Sequence, residues 1–84
     1  MGRNHAEHVG NELTGILRGT GAKMKAEVGT GSVTFRGQWK AEVPFAEITA
    51  EARGTLLVLS CRGQVVELAA GAQAAKLASR IRKQ

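Results

Sequence analysis

The sequence predicts a mainly β fold of the α+β class, a curved antiparallel sheet or partly open barrel of six to seven short strands with one C-terminal α-helix. Apolar and polar residues alternate with period two over residues 22–28 and again over 39–43, the repeat of a strand with one wet face. The 11 glycines fall mainly between such runs, where turns are wanted. From Ala72 onward neither Gly nor Pro occurs, and Ala74, Leu77, Ala78 and Ile81 recur at three- and four-residue spacing, which puts them on one helical face.

A chain of 84 residues holds one small domain with a single core. Residues 1–12 carry Arg3, Asn4, His5, Glu7, His8 and Asn11 with almost nothing to bury, and are expected to form a flexible polar tail before a domain over 13–84. His5 and His8 flank Glu7, but without a third or fourth ligand nearby they read as tail and not as a metal site. Residues 13–18 form the first expected strand, ended by Gly19, Thr20 and Gly21. Over 22–28, Met24, Ala26 and Val28 take one face and Lys23, Lys25 and Glu27 the other. Gly29 and Thr30 suit a type II′ hairpin, which would set Ala26 opposite Val33, Met24 opposite Phe35 and Lys23 opposite Arg36.

Val33 and Phe35 continue the inner face, and Gly37 with Gln38 marks the next turn. Trp39, Ala41 and Val43 then alternate with Lys40 and Glu42 in a third such strand, which Pro44 ends because it lacks a ladder donor. Residues 45–52 read as a short strand around Ile48, leading to a turn at Arg53 and Gly54. The run Leu56-Leu57-Val58-Leu59 within 55–61 is apolar in both phases and suits a strand covered on both sides. Arg62, Gly63 and Gln64 make a turn, residues 65–69 the last strand, and Gly71 breaks into the helix. Burying Leu77 and Ile81 would contribute roughly 1.5–3 kcal/mol each. A helix this short is marginal alone in water and needs the sheet to dock on. Lys76, Arg80, Arg82 and Lys83 lie mostly off its apolar stripe, and three of them suit the carbonyl end of the helix dipole.

The formal net charge of +5 would attract nucleic acid, acidic lipid or an acidic protein face, and also serves plain solubility. The single cysteine, Cys61, cannot form an internal disulfide and reads as a reduced core residue of a cytoplasmic protein. No apolar run approaches a membrane span, the first ten residues lack the hydrophobic segment of a signal peptide, and Ala6 stands where a myristoylation signal needs Ser or Thr.

The motifs Val33-Thr34-Phe35-Arg36-Gly37, Val43-Pro44-Phe45-Ala46-Glu47-Ile48, Gly54-Thr55-Leu56 and Gly71-Ala72-Gln73-Ala74-Ala75-Lys76-Leu77-Ala78-Ser79-Arg80-Ile81 occur in that order. In their spacing the chain resembles the small bacterial pleckstrin-homology-like (PH-like) domains of uncharacterised function, over roughly residues 22–83. One departure is Leu77, where the family usually carries a tryptophan in mid-helix. The resemblance implies a PH-like fold more than an activity, since such barrels host lipid binding, peptide binding and scaffolding alike.

Enzyme readings lack parts: nucleophile, base and orienting group are needed together, and Cys61 has no evident partner. The glycine pairs Gly19/Gly21 and Gly29/Gly31 do not open a helix, so they lack the amide cradle of a phosphate loop. No cofactor is expected. In PH domains that bind phosphoinositides, basic residues flank the first loop; the similar Arg18, Lys23 and Lys25, with Arg36 and Lys40 across the sheet, form a candidate anion site for a lipid head group. Nucleic acid is disfavoured because the expected inward face takes Phe35 and Trp39, leaving no platform for base stacking. A protein-interaction module, with an unknown protein partner or a homodimer paired at an open sheet edge, is the leading expectation.

Overall fold

A computed structural model describes residues 12–83. Of the tail expected over 1–12, residues 1–11, with both histidines, lie outside the described residues, and Glu12 stands in the first strand. Seven strands form one antiparallel sheet: β1 (Glu12–Leu17), β2 (Ala22–Val28), β3 (Ser32–Gly37), β4 (Ala41–Pro44), β5 (Thr49–Arg53), β6 (Leu56–Cys61) and β7 (Gln64–Ala69). Their order is β4-β3-β2-β1-β7-β6-β5, so β1 is central and the chain crosses between the two edges after β4. The sheet curls into a half-barrel around one apolar core, and α1 (Ala74–Arg82) packs on it, mostly against β5. This is consistent with the expected PH-like architecture. Among the described residues no helix is long and apolar enough to cross a membrane.

The period-two pattern places the core as expected: Met24, Ala26 and Val28 of β2 and Val33 and Phe35 of β3 are buried. The register between these strands differs from the expected one. Gly29 N–H donates to Ser32 O at 2.9 Å, closing a wider loop, and Val28 pairs with Val33, Ala26 with Phe35 and Lys25 with Arg36. Gly29 does not take the positive φ that a type II′ turn requires. The slip is two residues, and an even slip leaves every side chain on its own face.

Residues 45–52 are not one strand. Phe45–Glu47 is a 3-10 turn, with Ile48 N–H donating to Phe45 O at 3.0 Å, and β5 begins only at Thr49. Phe45 and Ile48 are both buried, because three residues make one 3-10 turn and bring i and i+3 to the same side. Trp39 precedes β4 and does not join it; partly buried, it packs against Phe35 with ring centroids 5.1 Å apart. In β6, Leu57 and Leu59 are fully buried, whereas on the other face Val58 is covered and Leu56 is 38% exposed, so the two-sided cover is incomplete.

The β4 edge is blunted. Phe45 N–H donates to Gly31 O at 2.9 Å, which by alternation turns Ala41 and Val43 toward β3 and leaves Glu42 and Pro44 facing the free side. Pro44 has no N–H to offer there. At the centre of the sheet, Gly15 of β1 lets β7 approach so closely that a Cβ would lie 1.8 Å from Glu67 O. The β6–β7 hairpin turns through Arg62 (φ 50°) and Gly63 (φ 78°), both positive as a type I′ turn demands, and Gln64 belongs to β7.

The helix buries the expected stripe of Ala74, Leu77, Ala78 and Ile81. Its first expected turn is instead 3-10 (Gly71–Gln73), and Ala70 and Gly71 N–H both donate to Thr55 O at 3.0 Å, tying the helix entry to the β5–β6 turn.

Candidate anion-binding site

Alternation along β2 carries Lys23 and Lys25 to the outer face, where Lys25 stands between Thr14 of β1 and Arg36 of β3 and Lys23 stands opposite Ile16. Lys23, Lys25 and Arg36 line one shallow depression of about 310 Å³ with Glu12 and Gly37. Neither lysine has a carboxylate within 4.0 Å among the described residues. Arg36 Nη2 lies 3.5 Å from Glu12 Oε2 and 3.8 Å from Glu27 Oε1, and these two glutamates face each other across β1 and β2. The guanidinium therefore offsets a like-charge pair while remaining half exposed.

Arg18 and Lys40 stand apart from this cluster. Arg18 is engaged by Glu67, with Nε donating to Oε2 at 2.8 Å and Nη2 at 2.6 Å. Lys40 lines a different groove of about 390 Å³ with Trp39, Ala41, Arg62 and Gln64, where the β3–β4 and β6–β7 turns meet. The first turn is closed on itself: Gly21 N–H donates to Leu17 O at 2.9 Å and Ala22 N–H to Thr20 Oγ1 at 3.1 Å. Those two amides are satisfied within the turn.

The apolar half of this surface lies outside the residues expected for the site. A groove of about 530 Å³ adjoins the depression, lined by Thr14, Gly15, Ile16 and Ala69 together with Lys23 and Lys25. Ile16 is 42% exposed. Its signal was legible: Ile16 is out of phase with Leu13 and Leu17, so an inward set on β1 must turn it outward. Cys61 lies away from this cluster and faces the core; burial pushes its thiol up, Arg62 partly opposes this, and Glu47 adds to it. Comparison with protein-family models, with curated proteins and with solved structures finds no match to this chain.

Proposed function

We propose that the chain is a cytoplasmic, non-enzymatic interaction module of the PH-like kind that docks an acidic protein partner on the outer face of β1, β2 and β3. The observation that carries this reading is the pair Lys23 and Lys25, which have no carboxylate partner among the described residues and are shared by a cationic depression and an apolar groove beside exposed Ile16. Charge complementarity steers a partner and sets its register, and an apolar anchor beside it supplies the burial that exposed cations alone do not. An extended acidic segment with one apolar side chain fits both halves. Edge-to-edge homodimerisation through β4 is the weaker form of a protein interaction, because Pro44 removes a donor from that edge.

The test is a chemical-shift titration with a blocked peptide bearing leucine between glutamates. Shifts at Thr14, Gly15, Ile16, Lys23 and Lys25 that vanish in a Lys23→Glu/Lys25→Glu double variant support the reading. Shifts that persist in that variant, or map elsewhere, refute it.

A second reading, an anionic lipid head group, is favoured by the position of Lys23 just after the exposed turn Gly19-Thr20-Gly21. Vesicles containing phosphatidylserine that pellet the unaltered chain, but not the double variant, would select it over the peptide.

A further inference from the structure

The positive charge of the described chain is concentrated in its helix. Over residues 12–67, seven cations stand among six glutamates, and each arginine of that region lies within 4.0 Å of a glutamate. Over 68–83 there are four cations, Lys76, Arg80, Arg82 and Lys83, and no acidic residue. All four are exposed, and none has an ion pair among the described residues. Complementing the helix dipole accounts for charge in the last turn only, and Lys76 lies outside it.

Their distribution around the helix selects the shape of the anion. The buried stripe of Ala74, Leu77, Ala78 and Ile81 fixes the inward side, so Lys76 and Lys83 fall on the outward crest. Arg80 and Arg82 are two residues apart, about 160° around the axis at 3.6 residues per turn, and so lie on opposite flanks. A flat membrane meets the crest and leaves the flanks turned aside. Between them the outer face of α1 carries only Ala75 and Ser79, and the exposed large hydrophobics among the described residues, Ile16 and Leu56, are on the sheet, so this face has no large apolar side chain to insert into lipid. A groove walled by phosphates on both sides meets crest and flanks together. The major groove of B-form DNA, about 12 Å wide, admits a helix of about 10–12 Å diameter, whereas the deep, narrow major groove of duplex RNA does not.

We propose that the outer face of α1 is a docking surface for the phosphate backbone of duplex DNA, with Lys76, Arg80, Arg82 and Lys83 as the phosphate contacts. This binding needs no base stacking, and it agrees with the full burial of Phe35 and the partial burial of Trp39, which deny a platform to single strands. It is independent of the acidic-partner surface on β1, β2 and β3.

Fluorescence polarization with a labelled 16-base-pair DNA duplex, titrated between 50 and 200 mM salt, tests it. Four phosphate contacts give a slope near −3.6 in log–log form, so affinity falls roughly 150-fold over that range. Each of Lys76→Gln, Arg80→Gln, Arg82→Gln and Lys83→Gln should lower the slope by about one, to a fall of roughly 40-fold, with circular dichroism unchanged. A duplex of the same sequence in RNA should bind more weakly. The proposal is overturned if the DNA duplex shows no salt-dependent binding, if the four glutamine variants retain the full slope, if the RNA duplex binds as well as DNA, or if phosphatidylserine vesicles show the same helix dependence.

Discussion

Gly15→Ala places a methyl group where β1 and β7 are closest. Built on the existing backbone, the new Cβ lies 1.8 Å from Glu67 O and 2.7 Å from Leu68 Cα, against a limit near 3.0 Å for real contacts. One strand must therefore withdraw by more than about 1 Å, which stretches a normal ladder hydrogen bond beyond its useful range. Only four residue pairs, Thr14↔Ala69 to Leu17↔Val66, join these strands. Leaving one or two backbone groups unsatisfied costs about 1–3 kcal/mol each, so the expected loss is about 1–6 kcal/mol. A domain of this size holds only about 4–13 kcal/mol in total. Gly31→Ala is the matched control: nothing lies within 4 Å of its Cβ and its φ is not positive, so it should be neutral or more stable by up to about 1 kcal/mol. Urea unfolding followed by the fluorescence of Trp39 reads both. A Gly15→Ala cost below about 1 kcal/mol, or one equal to that of Gly31→Ala, would show that the two halves of the sheet are not held at this crossing.

Leu77→Ala should destabilise by about 2–5 kcal/mol in the same assay, while Lys76→Ala stays within about 0.5 kcal/mol; equal costs would mean that the helix does not plug the core. Arg62→Asn should raise stability by about 0.5–1 kcal/mol, because asparagine tolerates the positive φ that costs arginine about 1 kcal/mol, and the Arg62–Glu47 ion pair it removes is exposed. A drop in melting temperature would contradict this. Burial raises the thiol of Cys61 above its ordinary value of 9.0, so the unfolded chain ionises first and stability should fall as pH rises past that value toward the folded-state pKa. Cys61→Val should remove that component from a pH series of thermal melts, and an unchanged slope would count against it.

Faces were easier to read from the residues than registers. Alternation alone located β2 and assigned Lys23, Lys25 and Arg36 to one side, and the even slip at Gly29–Ser32 left that assignment intact. The wider loop was not legible, because Gly-Thr is as compatible with a tight hairpin as with the four-residue closure actually formed. Phe45 and Ile48 mimic a strand fragment unless a spacing of three is read as a single 3-10 turn. The pairing of Arg18 was not legible for a nonlocal reason: its carboxylate partner, Glu67, is 49 residues away and reaches it only through β1–β7 pairing. Lys40 fell away from the cluster because β4 begins at Ala41, which leaves Trp39 and Lys40 in the preceding turn. The helix cations are legible as a run without acids, but their excess stands out only beside the paired arginines of the sheet, and the pairing of Arg18 depends on long-range strand contacts.

The central position of β1 has a kinetic consequence. Its neighbour β2 is made at once, but β7 follows some 49 residues later, which at roughly 5–20 residues per second leaves one side of β1 open for about 2–10 s during synthesis. For that interval the first four strands form a meander whose greasy surface has no lid. Nascent chains stalled before β7 should therefore recruit holdase chaperones, whereas release of the whole chain closes the sheet through late, distant contacts of the kind that slow folding.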